Sequence, residues 1–186
     1  MIIVSASPFQ PSELLQQLEA QSDDSGAVVS FTGKMRETGE KGRALSHLYL
    51  EHYPAMTEAS LAEIIKQAEA RFSIESVLLY HRVGNIYKND PIVFVGVISK
   101  HRKEGFSAAM MIMDYLKKQA PFWKKEVYVD GEEVWIAQKK SDQQSFSEWQ
   151  EKTGQLTGFL LHQRKLFFLR FFLFLFQSAG YKLSFN

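Results

Sequence analysis

The run IVFVGVIS, residues 92–99, is apolar at six of its eight positions and does not alternate. A strand of this kind has no solvent face, so it reads as buried, and the rest of the chain must supply what covers it. Val77–His81 reads as a second buried strand, joined to the first through Gly84 and the Asn89-Asp90-Pro91 turn. Two long helical patterns supply cover. Met56–Phe72 repeats Leu61, Ile64, Ile65 and Ala68 at helical spacing, with Thr57 as its N-cap. The other runs from about Glu104 to Gln119 and must stop before Pro121, because proline disfavours helical geometry in its predecessor.

Shorter elements fill the remainder. Ile2–Ser5, Ala27–Lys34 and Leu45–Glu51 read as strands and Ser12–Gln21 as a short helix. Arg36–Arg43, with two glycines and no large apolar residue, is expected to be an exposed, mobile loop. Residues 127–136 (VYVDGEEVWI) form a hairpin around Asp130-Gly131. The fold class is therefore α+β, or mixed α/β. The order β-α-β-β-α-β from Leu45 to Val129 matches a split βαβ unit.

The chain has 186 residues, enough for one domain with an appendage. The boundary falls near residue 150. Residues 151–186 include Phe159–Phe176, rich in phenylalanine but interrupted by His162, Gln163, Arg164, Lys165 and Arg170. A spanning helix wants about 20 predominantly apolar residues. This stretch reads either as a membrane-surface anchor or as an extra packed helix or ill-folded extension, and the second reading is preferred. No function attaches to it. The N-terminal MIIVSASPFQ lacks the basic segment and long apolar run of a signal peptide, so the expected location is the cytoplasm.

Formal net charge is only +1, which argues against a general nucleic-acid-binding surface. The chain has no cysteine, which excludes disulfides, thiolate metal sites and cysteine nucleophiles. The five histidines show no ligand spacing, and His47 and His81 read as packing residues inside strands. No metal or cofactor is expected. Dinucleotide, P-loop, nucleophile-elbow and zinc-protease signatures are missing from the sequence.

Three local basic groups remain. In KKQAPFWKKE (117–126), Lys117 continues an apolar ridge of Phe106, Met110 and Met113, and Lys118 follows Asp114 at ion-pair spacing. Pro121-Phe122-Trp123 then forms a turn that folds Lys124 back toward the helix end. These lysines either complement the helix dipole or face something anionic, and spacing leaves the two even. The second group, Ser99-Lys100-His101-Arg102-Lys103, sits where a strand enters a helix N-terminus, a place that favours anions; alone it reads rather as a solvated charge run. The third is Lys34 and Arg36, weak by itself. Together they outline a pocket for a phosphate- or carboxylate-bearing small molecule.

GAVVSFTGKMR (26–36), LEHYPAMTE (50–58), HRVGNIYKND (81–90), IVFVGVISKHR (92–102), MDYLKKQAPFWKKE (113–126) and SDQQ (141–144) together resemble the catalytic large subunit of molybdopterin synthase. The resemblance runs in order across residues 1–150 and leaves the phenylalanine-rich tail outside. It implies an α/β hammerhead-type fold with an added antiparallel β subdomain. It also implies an enzyme that converts precursor Z, a cyclic pyranopterin monophosphate, to molybdopterin by installing two sulfurs. The sulfur would arrive as a thiocarboxylate on the C-terminal Gly-Gly of a small ubiquitin-like subunit. Two large subunits would pair as a homodimer inside a heterotetramer.

Carried onto this chain, the resemblance makes Lys117 and Lys124 catalytic. Arg36, His101 and Arg102 become the anion pocket, lined by Lys34, Met35, Lys125 and Glu126. Lys139, just before SDQQ, would reach into the neighbouring subunit's pocket. Phe122 and Trp123 would form a dry wall beside the lysines. The alternative reading is a non-catalytic adaptor of the same fold that binds a phosphate ligand, and retention of both lysines with the His-Arg pair argues against it. An enzyme occluded by its own tail is a further alternative.

Overall fold

The computed structural model describes residues 1–136, apart from 23, 40 and 41, together with residue 149. The tail 151–186, the SDQQ segment and Lys139 lie outside the described residues. The helices and strands described within residues 1–136 all belong to one unit, Met1–Phe146.

The two buried strands are β4 (Ile74–Arg82) and β6 (Pro91–Ser99), antiparallel neighbours at the centre of a four-stranded sheet. β1 (Ile2–Ser5) lies parallel to β4 and β2 (Ala27–Lys34) antiparallel to β6, giving the order β1-β4-β6-β2. Side chains alternate across a strand, so β6 needs cover on both faces. On one face α1 (Pro11–Glu19) sets Leu14 and Leu18 against Leu78, Tyr80, Phe94 and Ile98. Gly96 makes that approach possible, since a Cβ there would collide with Leu18 and the Phe94 ring. On the other face lie α2 (Pro54–Arg71) and α3 (Arg102–Gln119), with α3 against β6, β2 and α2. Fully buried side chains such as Leu61, Ile64 and Ile112 each contribute about 1.5–3 kcal/mol of burial free energy.

A second, wholly antiparallel sheet has the order β5-β3-β7-β8, built from β3 (Leu45–His52), β5 (Gly84–Ile86), β7 (Phe122–Tyr128) and β8 (Glu133–Ile136). Its own core joins Met35, Leu45, Leu48, Leu50, Ile86 and Tyr128. The chain steps from β4 of the first sheet into β5 of the second at Gly84, whose φ of 72° is a left-handed conformation that suits glycine.

The α+β class holds, and three local expectations are corrected. The split βαβ unit is not formed, because β3 and β7 pair with each other in the second sheet instead of flanking β4 and β6. The first long helix begins at Pro54 with Tyr53 as N-cap; Thr57 is buried inside α2, where its hydroxyl donates to the Pro121 carbonyl at 3.4 Å. The strand before the Asp130-Gly131 hairpin starts at Phe122, so Phe122 and Trp123 are strand residues and not a turn. Among the described residues no helix is long and apolar enough to cross a membrane.

Candidate active site

α3 ends where Ala120 turns extended (φ −71°, ψ 129°) ahead of Pro121, and Thr57 ties that break to α2. Lys117 lies in the last turn of α3 and is exposed. The apolar ridge leading to it is not buried: Phe106 is 65% and Met110 61% exposed, and only Met113 is inside. The buried side of α3 is instead Gly105, Ala108, Ala109, Met111, Ile112 and Met113 with Tyr115 and Leu116. Small residues let the helix sit close on the sheet; Gly105 backs onto Val29, where a Cβ would come within 2.9 Å.

Past the break, β7 alternates. Phe122, Lys124, Glu126 and Tyr128 share one face and Trp123, Lys125 and Val127 the other. The expected wall of Phe122 and Trp123 is therefore split, and only Phe122 shares a face with Lys124. Phe122 stacks on the His81 ring at 3.8 Å with 12° between planes. His81 is buried, and burial depresses its pKa to about 4, so it is neutral at pH 7; its Nδ1–H donates to the Arg82 carbonyl at 2.8 Å. It is the packing histidine the strand context implies.

Burying a neutral histidine makes stability depend on acid. Between pH 6.5 and about 4 the unfolded chain binds a proton at His81 that the folded protein does not, so stability falls as pH drops. The loss amounts to about 3 kcal/mol by the lower end of that window. Thermal melts of wild type and His81→Gln at pH 7 and pH 5 check it. The wild type is expected to lose more on acidification than the variant, and equal losses would contradict the assignment.

Lys124, with its side chain 37% exposed, sets its Nζ 3.4 Å from Oε1 of Glu126. Glu126 is itself buried, and Tyr128 donates its hydroxyl to the other oxygen, Oε2, at 2.8 Å. That hydrogen bond raises the Tyr128 pKa, with burial adding to the effect. Gly39 lies flush against the same carboxylate; a Cβ there would overlap Oε2. Arg43 covers the Tyr128 ring at 3.8 Å and pairs with Asp130 and Glu132 at 2.7 Å each. The described flanks of the 36–43 loop are thus pinned, with Gly39 N–H donating to Arg43 O and Leu45 N–H to Glu37 O, both at 2.9 Å.

Lys34 and Arg36 are exposed at the end of β2, while Met35 between them is buried in the core of the second sheet, its N–H donating to Asp90 O at 2.9 Å. Lys125 occupies the opposite face of β7 from Lys124. Its Nζ pairs with Glu133 at 2.7 Å and lies 5.2 Å from the Tyr49 ring and 5.5 Å from the Trp135 ring. His101 and Arg102 are exposed at the start of α3.

One chain does not bring these groups together. Ala27 pairs with Ser99 and Lys34 with Pro91, so Lys34 and the Ser99-His101 junction stand at opposite ends of the β2–β6 pair, roughly 23 Å apart along the strands. Arg102 and Lys117 are likewise at opposite ends of α3, about 22 Å apart at the helical rise. Two rigid elements give the same separation. His101 and Arg102 thus stand at the end of β6 and the start of α3, while Lys34 stands at the opposite end of the β2–β6 pair and Lys117 at the opposite end of α3. Lys139 lies outside the described residues. Tyr128, Gly39 and Thr57 are not among the candidates that the sequence nominates. Tyr128 has a readable signal, the two-residue alternation with Lys124 and Glu126, once the strand begins at Phe122. Among the described residues no group of three or more His, Asp or Glu side chains is placed to hold a metal.

Residues 4–119 match a family described as MoaE protein. The chain is 46% identical over 148 residues to the molybdopterin synthase catalytic subunit of Escherichia coli (strain K12), covering 80% of this chain and 97% of that protein. It is 48% identical over 148 residues, with the same coverage, to the one from Pasteurella multocida (strain Pm70). Among solved structures, a molybdopterin biosynthesis MoaE protein from Burkholderia ambifaria MC40-6 superposes with a TM-score of 0.68 at 35% identity, covering 80% of this chain and 97% of that one. The crystal structure of molybdopterin synthase from Staphylococcus aureus gives a TM-score of 0.65 at 31% identity, covering 73% and 96%.

Proposed function

The chain belongs to the MoaE protein family of molybdopterin synthase catalytic subunits, and from that premise we propose that the lysines flanking the α3–β7 break, Lys117 and Lys124, carry out its chemistry. The activity is that of a sulfurtransferase in molybdenum cofactor biosynthesis, forming the molybdopterin dithiolene from precursor Z. The observation that carries the site assignment is Lys124: a half-exposed ammonium on a strand, backed by a buried carboxylate.

The sulfur comes from a partner in this reading. A chain without cysteine has no thiol on which to carry it, so a small ubiquitin-like subunit delivers a C-terminal thiocarboxylate. Its sulfur bonds to a carbon of the pterin side chain as a carbon–oxygen bond there breaks, giving an acyl thioester. Water then cleaves the acyl–sulfur bond, returning the small subunit as a carboxylate, and a second thiocarboxylate replaces a second carbon-bound oxygen in the same way. Both reactants are anionic, so Lys117 and Lys124 offset charge at the meeting point and move protons during attack and hydrolysis. Arg36, His101 and Arg102 hold the cyclic phosphate through charge-assisted hydrogen bonds, with Lys34 and Met35 at the same strand end as Arg36.

The separation within one chain supports a homodimer in which each pocket draws on two copies. Lys117, Lys124 and Arg36 come from one chain, and His101 and Arg102, with Lys139, from the other. Residues 1–150 form the catalytic domain and 151–186 an extension, in keeping with relatives that align over 148 residues. The site of action is the cytoplasm. Incubating the purified chain with thiocarboxylated small subunit and precursor Z is expected to yield molybdopterin. An inert chain beside an active relative under the same conditions would contradict the proposal.

A further inference from the structure

We infer that Tyr128 is a positioning residue for Lys124, acting through Glu126; this rests on the assignment of Lys124 to the reaction. Three side chains at alternate positions of β7 form a relay on one face of the strand. The Tyr128 hydroxyl donates to Oε2 of Glu126 at 2.8 Å, and Oε1 of the same carboxylate meets the Lys124 ammonium at 3.4 Å. Glu126 is only 2% exposed, so it presents almost no surface to a ligand and its influence on the reaction passes through Lys124.

A lysine side chain has a flexible four-carbon stem and a large rotamer entropy, so an ammonium required at one point needs something fixed to aim at. A carboxylate serves only if it is itself held. Tyr128 and Gly39 both help to hold this one: Tyr128 donates to Oε2, and the Gly39 backbone lies so close that no side chain fits between. The Tyr128 ring is in turn fixed between the core of the second sheet and the Arg43 guanidinium, 3.8 Å above it. Removing the hydroxyl leaves this packing in place and takes from Oε2 the hydrogen bond that helps fix its direction.

The test is a double-mutant cycle on Tyr128→Phe and Glu126→Gln, read as single-turnover molybdopterin formation with thiocarboxylated small subunit and precursor Z. Tyr128→Phe is expected to slow the saturating rate about tenfold, the worth of one hydrogen bond to a charged group. The precursor concentration at half-maximal rate should stay unchanged. Because Tyr128 acts through Glu126, adding Tyr128→Phe to Glu126→Gln should cost nothing further. Multiplied effects in the double variant, a wild-type rate for Tyr128→Phe, or a change confined to half-saturation would overturn the inference. Thermal melts identify a folding failure; should Tyr128→Phe melt early, the comparison of Glu126→Gln with Glu126→Asp decides, since a carboxylate in either length should retain rate that the amide loses. A wild type that makes no product would reject the functional assignment instead.

Discussion

Lys124→Ala and Lys117→Ala are each expected to lower molybdopterin formation by about 10²–10⁴-fold, the usual cost of removing a positioned proton-transfer group. The loss should appear in the saturating rate more than in precursor affinity, because the proposed site assigns the phosphate to other residues, Arg36, His101 and Arg102. Lys124→Ala has a second effect, since it leaves the buried Glu126 carboxylate without that ammonium. Its melting temperature should therefore fall, whereas Lys117→Ala, at an exposed position in the last turn of α3, should melt close to wild type. Lys118→Ala is the comparison, one residue round the helix, and only a mild effect on rate is expected. Single-turnover assays of the three variants beside their melting curves check this. Equal rates for Lys117→Ala and Lys118→Ala would remove Lys117 from the chemistry.

The central sheet is legible from sequence because its strands obey simple rules. IVFVGVIS is buried on both faces, and the β-branched run Ala27–Lys34 marks the observed ends of β2. Which strands share a sheet is not legible, since the order of elements along a chain does not say whether β3 pairs with β4 or with β7. The start of β7 escapes the pattern for a physical reason: FWKKEVY shows no apolar–polar alternation. The face that carries Phe122, Lys124, Glu126 and Tyr128 holds a row of mutually satisfied polar groups where a pattern rule expects hydrocarbon. The rule fails at the part of the chain assigned to function.

α3 departs from expectation in the opposite sense. Large apolar residues at helical spacing imply a buried ridge, yet Phe106 and Met110 face outward and the close contact with the sheet is made through Gly105, Ala108 and Ala109. The ridge that singles out Lys117 is therefore not buried. The case for Lys117 stands on family membership and on its place at the α3–β7 break.

The basic groups are all recognisable in the sequence, but one shared pocket in one chain does not survive the register of β2 with β6. If the pocket is composite, two inactive variants should repair each other. Co-assembling Lys124→Ala chains with Arg102→Ala chains in equal amounts puts half of the dimers in mixed form. Each mixed dimer holds one pocket with both residues intact, so about a quarter of all sites should work by the statistics of a symmetric pair. Activity near a quarter of wild type, from two preparations each nearly inert alone, is the predicted outcome. A mixture no more active than its components would mean that Lys124 and Arg102 do not meet across two chains, and would contradict the composite pocket.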